Sequence, residues 1–316
     1  MKRIYFLLSS LAIAMAFTAC SDSDDDPFQR AADLDYSYEN AEQWANYMTV
    51  VSGLLKTDAT TLYNDWAVSF NKGQSYAKIF KNHNNDYYQS AINCVEAIFD
   101  ACADIASEVG DQKMGEPYRL YTAGHQTEAL YAVESWYSWH SREDYRNNIY
   151  SIRNAYYGNI YDEETNNYDV VDANSLSALL AADNSAMDNE MKTRIKAAAD
   201  AIWAIPAPFR NHINASEVQT AMEACGELED FITNTLKPHF QSKINSDAVL
   251  NPVIDQYVDG VIIPTYLDLM NKNTLLDNTV KAFKAHPSNA AFANCAQAWL
   301  EARKPWESSE AFLFGP

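Results

Sequence analysis

The chain has 316 residues, room for one large or two ordinary domains, and a 47% hydrophobic fraction that supports a sizeable core. Its formal charge of −20 argues against nucleic acid as a partner, because phosphate binding needs a basic face. Nine Gly and ten Pro are few for an all-β protein of this length, and long runs rich in Ala, Leu, Asn and Asp point to helices.

Met1, Lys2 and Arg3 form a short positive start, and residues 4–17 an apolar run too short to span a membrane as a mature helix. This predicts a signal peptide over residues 1–19. The run ends in Phe17-Thr18-Ala19-Cys20, which resembles a bacterial lipobox with Phe in place of the commoner Leu. In lipoproteins of this kind the Cys becomes the first mature residue and carries the acyl chains, and stable anchoring needs more than one chain. Residues 20–33 read as an acidic tether that begins Ser21, Asp22, Ser23, Asp24, Asp25 and Asp26. An acidic run after the lipid-bearing Cys resembles the export signal of Bacteroidetes surface lipoproteins. A plain linker on a periplasm-facing protein is the alternative. The expected location is the outer membrane, with Cys20 as the lipidation site and the membrane as a partner.

Beyond the tether the periodicity predicts helix after helix. Residues 38–55 put Trp44, Tyr47, Met48, Val51 and Leu55 on one face, and Asp58 caps a second helix with Leu62, Trp66 and Phe70. A long helix over residues 86–109 carries Ala91, Cys94, Val95, Ile98, Cys102 and Ile105. Residues 110–130, with Gly, Pro and scattered polar groups, read as a long loop. Ser141 caps a helix whose stripe is Tyr145, Ile149, Ile152 and Tyr156, and Gly158 ends it. Residues 159–174 form a polar loop, and helices follow over 175–182, 187–205 and 216–236. Residues 238–245 read as a connector. Helices over 249–270, 275–285 and 288–304 complete the set, with Pro264 kinking or splitting the first of them. The fold class is all-α, two packed helical-bundle halves over residues 34–243 and 244–316. Cys94, Cys102, Cys225 and Cys295 show neither a CxxC pair nor metal spacing, and read as buried small hydrophobes.

Residues 129–158, ALYAVESWYSWHSREDYRNNIYSIRNAYYG, interleave Trp136, Tyr137, Trp139, Tyr145, Tyr150, Tyr156 and Tyr157 with Glu134, His140, Arg142, Glu143, Asp144, Arg146 and Arg153. By themselves they read either as core aromatics with surface charges or as a place where side chains from several helices meet. With Glu108, Lys113 and the segment Ile205-Pro206-Ala207-Pro208-Phe209, this block resembles the C-terminal half of imelysin-like proteins. AWLEARKPWESSEAFLFGP, residues 298–316, resembles the signature near the N-terminal half of the same family. The halves stand in exchanged order, as in a circular permutation. The family's GxHxxE motif, whose His and Glu resemble metal ligands, is not found in these residues.

Two HxxE pairs remain, His125 with Glu128 and His140 with Glu143. At three-residue spacing, imidazole and carboxylate can share one cation such as iron or zinc. His125 and Glu128 are the candidate metal ligands. Glu134, Trp136, Tyr137, His140, Arg303, Trp306 and Glu310 are the candidate ligand-binding residues, and Arg303 can pair with Glu307 at i,i+4. The expectation is that 134–140 and 303–310 line one shared region, with Trp299 and Trp306 as pocket walls. Interdomain packing is the alternative role for Arg303 and the tryptophans. The resemblance implies a lipoprotein that binds iron, haem or another ligand for uptake. A metallopeptidase, or a scaffold that has lost its site, are the alternatives.

Overall fold

Every regular element among the described residues is helical, and hydrogen-bonding side chains mark where several of the helices begin. The computed structural model describes residues 37–315, so the signal peptide, Cys20 and the acidic tether lie outside the described residues. The chain divides into two units, residues 1–42 and residues 43–316. In the first, the described residues hold a turn in which the Ser37 amide donates to Asn40 Oδ1 at 3.0 Å.

The helices are α1 (Ala41–Ala67), α2 (Tyr76–Asn82), α3 (Ala91–Ser107), α4 (Gly115–Thr122), α5 (Gln126–Ala132), α6 (Ser141–Tyr157) and α7 (Leu176–Asp183). They continue as α8 (Ser185–Ala204), α9 (Ser216–Phe231), α10 (Lys237–Lys243), α11 (Asp247–Tyr257), α12 (Ile263–Ala285) and α13 (Asn289–Glu307). No helix among the described residues is long and apolar enough to cross a membrane.

Several boundaries differ from the sequence reading, each for a local reason. Asp58 does not start a second helix but lies within α1. The hydroxyls of Thr57, Thr60 and Thr61 bond back to the helical carbonyls of Gly53, Lys56 and Thr57, so their polar groups find partners within the helix. Residues 110–130 are not a loop. They run through a π-helical stretch, Glu108–Met114, into α4 and α5. Gly110 serves close packing there rather than a turn, since a Cβ on it would lie 2.9 Å from Cys225 Cβ of α9. Pro117 falls in the first turn of α4, where a missing N–H costs little. Pro238 likewise opens α10, so the expected connector is a helix. Pro264 follows a π-helical stretch, Val258–Ile262, and the chain continues unbroken as α12 through the expected gap at 271–274.

One core cluster takes in α3, α6, α8, α9 and α11, with Cys94, Cys102 and Cys225 buried in it as free thiols. Burial pushes Cys94 and Cys225 up to about 12, so neither is a thiolate at neutral pH. A second, smaller cluster joins Leu276 and Val280 of α12 to Ala298 and Ala302 of α13. Asp277 of α12, fully buried, accepts from Lys281 at 2.7 Å and from Ser52 of α1 at 3.3 Å.

The polar loop over 159–174 is held from beneath by Arg153, a fully buried residue of α6. Its guanidinium donates to the carbonyls of Asn159 (2.8 Å), Asn167 (2.9 Å), Tyr168 (2.7 Å) and Val170 (3.1 Å). The Tyr157 ring lies 4.4 Å beneath it. Gly158, at φ 71°, turns the chain out of α6 into this loop, a conformation that favours glycine. Arg153→Met leaves these partly buried carbonyls without their donor. It should cost at least about 3 kcal/mol in urea unfolding, and Arg153→Lys should not restore it, because one ammonium cannot span the fork. A loss below about 1 kcal/mol would mean that the loop orders itself without the arginine.

Candidate functional site

Two helices each offer a polar pair one turn apart. On α6 they are Asp144 and Asn148, and on α13 they are Arg303 and Glu307. The pairs meet although 159 residues separate the partners. Arg303 donates to Asp144 through Nε (3.2 Å) and Nη2 (2.5 Å), a two-point contact. The same Nη2 lies 2.9 Å from Glu307 Oε1 and 2.7 Å from Ser135 Oγ. Asn148 Nδ2 donates to the other oxygen of Glu307 at 2.9 Å, and its own carbonyl accepts from Lys113 at 3.2 Å.

Lys113 is turned inward at the end of the π-helical stretch Glu108–Met114, the kind of local distortion that re-aims a side chain. Its ammonium lies 3.0 Å from Glu134 and 3.7 Å from Glu108. Burial works against its charge, yet Glu310, Glu134 and Glu108 together hold its pKa above the usual value. The shared region of the two sequence blocks is therefore a continuous network: Glu134 and Glu310 act on Lys113, and Arg303 bridges α13, α6 and Ser135.

Burial raises the pKa of Glu307 to about 8, aided by Asp144 and only partly offset by Arg303. Asp144 is raised for the same reason, and the two titrate as a pair. Glu310 is raised to about 7, again by burial first, with Lys113 pulling the other way.

Beside the network lies a cavity of about 490 Å³, walled by Trp299, Trp306, Leu55, Leu62, Leu269 and Leu276, with Arg303 at its edge. Trp306 is 41% exposed there. The other candidates stand elsewhere. Trp136 packs on Tyr131 and Tyr137 with Arg210 above its ring at 4.9 Å, and Tyr137 is largely exposed. His140 sits beside Trp299 and 3.8 Å from Glu143. His125 and Glu128 form an exposed pair 3.6 Å apart at the start of α5. A zinc centre takes three or four protein ligands, and this pair supplies two. Among the described residues no group of three His, Cys, Asp or Glu is arranged to hold a metal ion.

Asp144, Asn148 and Lys113 were not among the sequence candidates. The signal for the first two was available. They follow the i,i+4 rule on a helix whose neighbouring positions Tyr145 and Ile149 are buried. For Lys113 the signal is its place in the family resemblance, since a π-helical turn has no sequence period.

A carboxyl with a raised folded pKa keeps its proton in the folded chain over a range where the unfolded chain has lost it. The stability it contributes is complete below the unfolded value near 4.5 and is lost as pH rises through the folded value. Glu307, Asp144 and Glu310 all act in this sense. Lys113 is protonated in both states over this range and adds no slope. The thermal midpoint should therefore fall between pH 5 and pH 8, with Glu307 contributing about 1.4 kcal/mol per pH unit within its window. Glu307→Gln should flatten that profile; an unchanged slope in the variant would show that Glu307 is ionised throughout.

The family pattern described as Imelysin matches residues 21–234 and 262–316. A crystal structure of an imelysin peptidase from Bacteroides ovatus is 55% identical, with a TM-score of 0.87 over 90% of this chain and 80% of that one. Iron-regulated protein A of Synechococcus elongatus is 29% identical over 104 residues, 33% of this chain and 24% of that protein. The chain thus matches about a quarter of the length of that curated relative. By the extent of the family match and the likeness to the Bacteroides ovatus structure, the chain belongs to the imelysin family.

Proposed function

We propose that this protein is an outer-membrane lipoprotein, anchored through Cys20 and facing the cell surface, which binds an iron-bearing ligand for uptake without transforming it. The cavity walled by Trp299 and Trp306 carries this reading. About 490 Å³ lined by aromatic and aliphatic side chains, with a few polar groups at the rim, suits a flat, amphipathic molecule such as haem. It suits a bare cation poorly, because carboxylate and imidazole donors do not converge on it. The name of the Synechococcus relative, an iron-regulated protein, agrees with a role in iron supply. The exchanged order of the two halves relative to other imelysins belongs to the same proposal.

The word peptidase in the name of the Bacteroides ovatus protein favours a second reading, hydrolysis by a metal-activated water. Cleavage of casein by the purified protein, stopped by a chelator, would replace the binding proposal with that one.

Haem binding is expected to quench the tryptophan fluorescence of the purified protein in a saturable way. Trp306→Ala should weaken it about tenfold or more, the cost of losing one aromatic wall. Quenching that never saturates, or that is the same in the variant, counts against the cavity as the site.

Location is tested separately. Cys20→Ala should release the protein from the membrane fraction, and retention there would end the lipoprotein reading. Replacing Asp22, Asp24, Asp25 and Asp26 by Ala should make the protein resistant to protease added to intact cells.

A further inference from the structure

On a neighbouring face of α13 from the aromatic cavity lies a second hollow of about 280 Å³, where three cations and three carboxylates are unevenly paired. The two cavities share only Arg303 among their lining residues. Within the second, most charges are already committed. Arg303 is bonded to Asp144 and Glu307, and Arg142 to Glu143 at 3.0 Å and to the Ile205 carbonyl at 3.1 Å.

Arg146 and Lys304 are left with one carboxylate between them, that of Glu163 from the loop over 159–174. Arg146 Nη1 lies 3.6 Å from one of its oxygens and Lys304 Nζ 3.6 Å from the other. Both are beyond hydrogen-bond reach, although charge-assisted bonds close to about 2.7–2.9 Å when the groups can approach. Arg146 Nε is buried and makes no hydrogen bond. The guanidinium is nonetheless fixed in place, 4.5 Å over the Trp203 ring and 4.9 Å over that of Tyr150. Arg153 ties the backbone of the Glu163 loop at Asn159, Asn167, Tyr168 and Val170, on both sides of Glu163. A free carboxylate has no such tether.

We propose that this hollow binds a small carboxylate ligand, whose carboxylate displaces Glu163 from between Arg146 and Lys304. The carboxylate class follows from the group that stands there now and from the planar fork of arginine, which matches two carboxylate oxygens. The small size follows from the limited volume of the hollow, about 280 Å³. Glu163 is then an internal competitor, holding the two cations apart from solvent anions until a better-fitting ligand arrives. This proposal does not rest on the haem reading.

Calorimetric titration of the full chain with succinate at low salt tests it, with sulfate as the anion that is not a carboxylate. Saturable one-to-one succinate binding is expected, with sulfate much weaker. Glu163→Gln removes the competitor and should tighten succinate by about two- to fivefold, the usual worth of an exposed ion pair. Arg146→Met should weaken it by about tenfold or more. Arg146→Lys, which keeps charge and bulk, should weaken it similarly, so that loss of binding is not confused with loss of folding. Trp306→Ala, in the other cavity, should leave it unchanged. Absence of saturable binding in both the wild-type protein and Glu163→Gln overturns the proposal. So does a Glu163→Gln affinity no tighter than wild type, or sulfate binding as tightly as succinate.

Discussion

Asp144 and Glu307 are buried almost completely, and a buried carboxylate without a partner is among the costliest features a fold can carry. What makes their burial tolerable is a single guanidinium. Arg303 meets Asp144 at two points and Glu307 at one, and in doing so fixes the angle at which α13 lies on α6. Ser135 adds a third anchor from the irregular segment before α6. That segment holds two positive backbone φ angles, at Ser135 and Trp139, and it is kept in place by the Ser141 hydroxyl bonding to the Glu134 carbonyl. Remove Arg303 and three elements lose the group that orients them. The hydrophobic contacts between α12 and α13 would survive, but not the register between α13 and α6.

The network carries more negative charge than positive. Lys113 and Arg303 face Glu108, Glu134, Asp144, Glu307 and Glu310, two cations against five carboxyls. Full ionisation of that set in a desolvated region is unfavourable, and the most buried members are the ones that hold protons. Burial therefore pulls Asp144 and Glu307 together toward their protonated forms, and Arg303 pulls both the other way.

How far this was legible in the sequence differs between the two kinds of contact. The all-α class, the stripe of α6, the stop at Gly158 and the meeting of the two signature blocks follow from period, capping chemistry and the family resemblance. The helical course of 110–130 was hidden, because Gly110 and Pro117 look like breakers. Their actual roles, close approach to Cys225 and an exempt position in a first turn, depend on what packs against them and on where a helix begins. Glu310 and Arg303 stood out as charged residues among aromatics. Asp144 stood in the same block but not among the candidates, since an acid in the first turn of a helix is ordinarily explained by the helix dipole. Only the burial of its carboxyl separates the two explanations, and burial is a property of the neighbours.

The same distinction bears on where recognition can take place. A block that interleaves arginine with tryptophan invites the reading that the arginine greets the ligand. In this protein Nε and Nη2 of Arg303 are already bound to Asp144, Glu307 and Ser135, which leaves it only Nη1. An arginine that holds a buried network together cannot let go of it for a ligand without losing several kcal/mol. The groups free to recognise something are those flanking it: Trp299 and Trp306 in one cavity, Arg146 and Lys304 in the other. Arg303 therefore stands between two dissimilar cavities, one largely apolar and aromatic, the other lined by three cations and three carboxylates. Selectivity in each is decided by residues that the shared arginine positions but does not replace.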